Sequence, residues 1–243
     1  MTCLKTRRAS FLIILATEPV NKMNLLIRTT IISVIATASN ANATNINQFI
    51  NTRSCDQVID KKFYKICYDY KAKGAKFVAY TLKGKNVGAV NIKKRPSFYP
   101  EKSIPSRYRT YPNDYTHNEF KADRGHLAPD AAFDWSKDSL DSVYSMANII
   151  PQYRSINRHT WIKAERYARS IAIKLGEVTV INGVEYGSQR MKKSGIAYPK
   201  GYWKMLCNDA KGFKRCLYYK NSKTIKTKGD KLKDHVVDCS TLT

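Results

Sequence analysis

The sequence predicts a single mixed α+β domain over about residues 60–239. Three observations predict it. Short apolar or alternating runs occur before residue 92 and again after residue 177. One clear amphipathic helix lies between them, and the chain has no internal repeat or low-complexity tract. A length of 243 residues leaves room for one or two domains.

The elements follow in chain order. Phe63 to Tyr68 and Lys76 to Leu82 read as strands, with Lys73-Gly74 as the turn between them. Val87 to Ile92 reads as a third strand. Residues 93–118 are rich in Pro, Tyr, Arg and Lys without helical period, and read as a long ordered loop. Leu140 to Ile150 has mixed character and fits no single element. Asn157 to Leu175 is the helix: Trp161, Ala164, Ala168, Ile171 and Leu175 recur at spacings of three and four, and Gly176 supplies the stop. Glu177 to Val184 reads as a strand with a glycine break. Tyr202 to Leu206 and Arg215 to Tyr219 read as hairpin arms closed by Asn208 to Gly212.

The N-terminus reads as targeting. Ile31 to Ala38 is a short apolar run preceded by Lys22 and Arg28 and followed by Ala41-Asn-Ala43, a small-x-small cleavage pattern. Residues 1–43 are therefore expected to be a signal peptide, with Met23 as an alternative start, and residues 44–59 a loosely held lead-in. The alternative is a membrane anchor, but a span needs about 20 apolar residues. Localisation is expected to be secreted or periplasmic, with no stable membrane insertion. Charge survives the cleavage. The whole chain carries +24 at pH 7, and the remainder keeps about +20. Such an excess favours anionic partners, with nucleic acid ahead of an anionic membrane or cell wall. The bland alternative is a merely soluble basic surface. The sequence leaves a homodimer open and points to no inhibitor protein.

Export makes disulfides the natural reading of the cysteines, since no Cys-x-x-Cys pair suggests zinc. Cys207 and Cys216 flank the hairpin turn and are expected to pair across it. Cys55 has two candidate partners, Cys67 and Cys239. Five cysteines after cleavage leave one unpaired or joined to another chain.

Two stretches carry chemistry. Asp123-Arg-Gly-His126 places an acceptor, a permanent cation and a proton-transfer group in a row before an Ala-Pro break. On the helix, Asn157, Trp161 and Glu165 fall within roughly 80° on one side. An amide oxygen and a carboxylate on one face are hard donors suited to Mg²⁺. The plain alternative is an N-cap asparagine, a core tryptophan and a solvent-facing glutamate. His117 and His235 read as surface residues. Tyr99, Tyr108, Tyr111 and Tyr115 sit among Lys and Arg, and either stack on single-stranded bases or pack the loop. The Lys-rich tail from Lys220 to Lys233 reads as a solvated face that raises non-specific affinity.

Taken together, Asp123-Arg-Gly-His126, Asn148-Ile-Ile-Pro-Gln152 and Asn157-x-x-x-Trp161-x-x-x-Glu165 resemble the DNA/RNA non-specific endonuclease family. The match is close over residues 120–169 and looser from about Phe77 to Tyr219. The resemblance implies a central antiparallel sheet and a ββα-metal active-site motif. It implies His126 as general base, Asn157 as the direct metal ligand and Glu165 as the holder of a metal-bound water. Arg95 matches an arginine near the scissile phosphate, and Asn148 an asparagine at the site. Arg124 lies within the motif and Arg158 beside the metal asparagine, both as phosphate contacts. The implied cofactor is Mg²⁺, with Mn²⁺ possible, and the partners are DNA and RNA. The expected reaction is attack by water activated by His126, leaving 5′-phosphate ends. One departure is visible: many members carry Gln-Gly or Gln-Asn where this chain has Arg158-His159. The competing reading is a non-catalytic basic nucleic-acid-binding protein on a nuclease scaffold.

Overall fold

The computed structural model describes residues 46–223 and 227–242. The expected signal segment lies outside the described residues. Helix α1 (Ile46–Asn51) and strand β1 (Gln57–Asp60) open the fold. The stretch expected as a loose lead-in is thus part of it: Phe49 and Ile50 are buried, and β1 pairs antiparallel with β2 (Lys65–Asp69). Six helical residues are too few to show a period in sequence.

Strand β3 (Gly74–Lys83) pairs with β2 and ends where Gly84 N–H donates to the Gly176 carbonyl at 2.7 Å. That bond turns the chain away from the sheet. The third strand expected over Val87 to Ile92 does not form, and Gly88 takes a positive φ there. The long loop follows. Three of its four tyrosines pack rather than wait for bases. Tyr115 is buried, Tyr108 stacks on Tyr70 at 4.4 Å and Tyr99 packs against the core, leaving Tyr111 exposed.

Strand β4 (Asp123–His126) and, after helix α2 (Lys137–Val143), strand β5 (Ile149–Gln152) form a separate antiparallel ribbon. Helix α3 (Trp161–Leu175) follows. Strands β6 (Glu177–Arg190), β7 (Ala197–Asn208), β8 (Phe213–Lys220) and β9 (Val236–Val237) complete a seven-stranded antiparallel sheet of order β1-β2-β3-β6-β7-β8-β9. Mixed α+β architecture around a central antiparallel sheet is as expected.

Strand alternation divides the core between two faces. Val78, Tyr80 and Leu82 join Val180, Tyr202 and Leu206 under α2 and α3. Phe77 and Ala79 face the other way with Ile181 and Met205, beneath α1. Helix α3 buries Trp161, Ala164, Ala168, Ile171 and Ala172. Each large side chain so buried contributes about 1.5–3 kcal/mol, which outweighs local helix propensity. No described helix is long and apolar enough to cross a membrane.

The expected Cys207–Cys216 bridge is corrected. The hairpin register sets Cys207 opposite Lys214 and Cys216 opposite Met205, so the two thiols are never directly opposed. Cys216 bonds instead to Cys239, and Cys55 takes Cys67, one of its two candidate partners. No described cysteine is free. His235, expected on the surface, is also corrected: it stacks on Tyr219 at 3.8 Å and binds Asp230.

Non-reducing peptide mapping should return linked Cys55–Cys67 and Cys216–Cys239 peptides, and a Cys207–Cys216 peptide would contradict this register. Cys216→Ser with Cys239→Ser should lower the unfolding free energy by about 2–4 kcal/mol in denaturant titrations.

Candidate active site

The site is built where the β4–β5 ribbon meets the start of α3. Gly125 can have no side chain because a Cβ there would collide with the Gln152 carboxamide on the facing strand. The close approach lets β4 run straight to His126. Beyond it, the Asn148 carboxamide clasps the chain. Its Oδ1 accepts from Ala128 N–H at 2.8 Å, and its Nδ2 donates to the carbonyls of Ala128 and Val143 at 2.9 and 2.8 Å. Asn148 is fully buried. These partners are all backbone groups, so Asn148 positions the turn after His126.

His126 sits between Phe98 and Tyr144, with ring centroids 5.3 and 5.0 Å away. Burial pushes its imidazole down to about 4; the Asp130 carboxylate pulls upward and Arg95 adds to the depression. At neutral pH the ring is uncharged. Its Nε2 is buried without a hydrogen-bond partner. Arg95 is held by three acceptors: Asp130 at 3.2 Å, Asp134 at 3.6 Å and the Ile92 carbonyl at 2.7 Å. Asp130 also accepts from Tyr144 Oη at 3.1 Å. Arg95 is therefore braced within electrostatic reach of His126.

Asn157 does not cap the helix. Ile156–Thr160 forms one wide π-helical turn running into α3, with Tyr153 O accepting from the N–H groups of Ile156 and Asn157. The turn aims Asn157 at β4, where Nδ2 donates to Asp123 Oδ2 at 3.1 Å. Asn157 itself lines the cleft. Arg158 closes a bidentate pair on the same carboxylate, at 2.7 and 2.9 Å. Burial works against the Asp123 charge, yet the bonds from Arg158 and Asn157 hold it below the usual carboxylate range. Arg158, expected as a free phosphate contact, is thus committed to Asp123. Arg124 stacks over Phe98 at 5.1 Å, with no ion pair among the described residues. Phe98, Asp123, Arg124, Asn157 and Arg158 line an open cleft of about 340 Å³.

Glu165, one turn beyond Trp161 on α3, is partly buried rather than fully solvent-facing. Burial pushes its carboxyl up to about 7, against the pull of Lys204 and Arg169. Lys204 is fully buried, and burial pushes it down to about 7. Its ammonium lies over the Trp161 ring at 4.5 Å and donates to Asn182 Oδ1 at 2.6 Å. Asn182 in turn donates to the Leu127 carbonyl, one residue beyond His126.

Sequence reasoning missed Lys204, Asn182, Asp130 and Arg169. Arg169 had a signal, since it continues the Asn157–Trp161–Glu165 stripe by one more turn. Asn182 and Lys204 are directly paired in the β6–β7 register, on the face that otherwise holds Val180 and Leu206. A polar residue out of phase on a buried strand face was legible only once the register was known.

The donor set is one amide oxygen and one carboxylate. No group of three His, Cys, Asp or Glu is placed to hold a metal among the described residues. Such a set fits a hard divalent cation that keeps most of its waters.

The family model for DNA/RNA non-specific endonucleases matches residues 41–242. The chain belongs to the DNA/RNA non-specific endonuclease family. It is 28% identical over 170 residues to human "Endonuclease G, mitochondrial", covering 64% of this chain and 56% of that protein. It is likewise 28% identical over 147 residues to "Nuclease" of Nostoc sp., covering 60% and 52%. The chain thus spans about half the length of these curated relatives. The fold matches a crystal structure of the EndoG/EndoGI complex with a TM-score of 0.70 at 20% identity, over 81% of this chain and 87% of that one. That likeness concerns the fold.

Two measurements test the electrostatics. An NMR titration of the metal-free protein should find the His126 imidazole titrating near pH 4, well below an ordinary histidine. Because the folded value is depressed, stability is complete above about pH 6.5 and falls as pH drops toward 4. Separately, Lys204→Met should cost about 1–3 kcal/mol by leaving the buried Asn182 Oδ1 without its donor, read from denaturant midpoints.

Proposed function

We propose that the chain is a sugar-non-specific endonuclease that hydrolyses phosphodiester bonds of DNA and RNA with one divalent metal, Mg²⁺ by preference and Mn²⁺ as a substitute. The observation that carries this reading is a histidine kept neutral on β4, clamped through Asp123 to the helix that bears Asn157 and Glu165.

Each residue then has a task. The His126 imidazole takes a proton from water, which attacks phosphorus opposite the leaving 3′-oxygen. The phosphorus–O3′ bond breaks, the 3′-oxygen is protonated from solvent, and a 5′-phosphate and a 3′-hydroxyl remain. Arg124, free of carboxylates, binds the phosphoryl oxygens and offsets their charge. Asn157, through its amide oxygen, and Glu165, through its carboxylate, would hold the cation. When bound, the cation supplies charge stabilisation at the phosphate and the leaving oxygen. Asp123, Arg95 and Asn148 keep these groups in place. Phosphate contacts carry no sequence information, which accords with low specificity. Two disulfides in the described fold support export to an oxidising compartment.

Plasmid and RNA degradation by the chain from Thr44 onward should require a divalent cation and stop with chelator. His126→Ala should slow cleavage by about 10²–10⁴-fold with nucleic-acid affinity retained. Tight binding without cutting under any divalent cation would instead identify a binding protein on a nuclease scaffold.

A further inference from the structure

Helix α3 carries a second stripe beside the catalytic one. Arg158 in the π-helical turn, with Ile162 and Arg166 of α3, repeats the four-residue spacing of Asn157, Trp161 and Glu165 one residue on. His159 and Lys163 flank that stripe. Across from it run Thr227 and Lys228, three and two residues before Asp230. Between them is a cleft of about 390 Å³ lined by Arg158, His159, Lys163, Arg166, Thr227 and Lys228. No carboxylate lines it.

The far wall is fastened in place. Lys163 Nζ donates to Asp230 Oδ2 at 2.8 Å and to the Asp230 carbonyl at 2.6 Å. The other Asp230 oxygen contacts His235 Nε2 at 2.6 Å, and His235 stacks on Tyr219 of β8. The nearest acid is thereby used up in holding the wall. Arg166 and Lys228 remain exposed, and neither forms an ion pair among the described residues. Arg158 and Lys163 are spent on Asp123 and Asp230, so the unpaired charge of the hollow is that of Arg166 and Lys228, which favours an anion. Arg158 lines both this cleft and the catalytic one, so the two adjoin.

We propose that this cleft is a flanking subsite that holds the phosphodiester backbone of the substrate strand outside the reaction centre. The inference rests on the nuclease reading above and extends it. The ligand is a polyanionic strand rather than a single nucleotide. The cleft is open, its cations are spread along the helix, and no Phe, Tyr or Trp among the described residues lines it to stack a base. Arg158 in the π-helical turn and Arg166 on α3 are eight residues apart, on the order of 10 Å along the helix. One strand of duplex DNA advances about 3.4 Å per phosphate, so the cleft spans more than one phosphate. The Arg158-His159 pair that departs from the family pattern stands at its entrance. A substrate too short to extend past Arg158 gains nothing from it, whereas a long strand does.

The test compares Arg166→Glu with Lys228→Glu against the unaltered chain on a trinucleotide and on a strand of about 30 nucleotides. Both positions are exposed, so the variant keeps its fold, which thermal unfolding checks. On the long strand KM should rise roughly tenfold, and the dependence of log KM on log salt should become shallower by about one to two. Trinucleotide cleavage should be unchanged. Lys211→Glu with Lys214→Glu makes the same charge change at the far β7–β8 turn and should leave long-strand KM within about twofold. An unchanged long-strand KM, an equal loss on both substrates or an equal loss in the distant variant would overturn the subsite. Fluorescence anisotropy of the labelled long strand, with chelator present, keeps the two readings apart. If the unaltered chain binds but never cuts, the nuclease reading fails. The subsite then stands or falls on whether Arg166→Glu with Lys228→Glu weakens binding more than the distant variant does.

Discussion

The ammonium of Lys204 holds the site to the sheet. A buried cation is costly unless its charge and its hydrogen bonds are met. Here Asn182 accepts from it, the Trp161 face lies beneath it, and Glu165 balances its charge. Asn182 then reaches the Leu127 carbonyl. One cation therefore ties together the sheet, the helix that carries Glu165 and the turn that follows His126. The low dielectric that makes this arrangement costly to break also keeps it rigid.

The same burial sorts the charges of the molecule. The surface is strongly basic, and the chain as a whole carries +24. Near the reacting groups the arginines are restrained by carboxylates: Arg95 by Asp130 and Asp134, Arg158 by Asp123. Without those acids, a crowd of cations would repel any metal ion. With them, the centre offers an uncharged imidazole and oxygen donors, while Arg124 and Arg166 stay available to phosphate. Attraction of a polyanion and accommodation of a cation are thus separated by little more than the turn of one helix.

Much of this was legible in the residues. Asn157, Trp161 and Glu165 share a helix face by periodicity alone, and Asp123 to His126 form the strand that their pattern suggests. The helix stops at Gly176 as the spacing predicts, while its expected first turn is π-helical and α3 proper starts at Trp161. Other features depended on contacts distant in sequence. Asn148 looked like a site residue, yet its amide is spent on the backbone of Ala128 and Val143. Arg158 looked like a free cation, yet Asp123 lies across the cleft from it. Cys207 and Cys216 flank a turn, but the register of the two arms opposes each to a different residue.

The sequence by itself determined the family, the periodic helix and the identity of the groups able to do chemistry, because those are properties of residue type and local spacing. The tertiary structure decided which groups are charged and which are already engaged. A histidine is a neutral base only once the fold buries it, and a buried lysine has a role only once a strand register sets an asparagine opposite it. Desolvation and pairing arise between segments far apart in the chain, and local pattern carries no record of them.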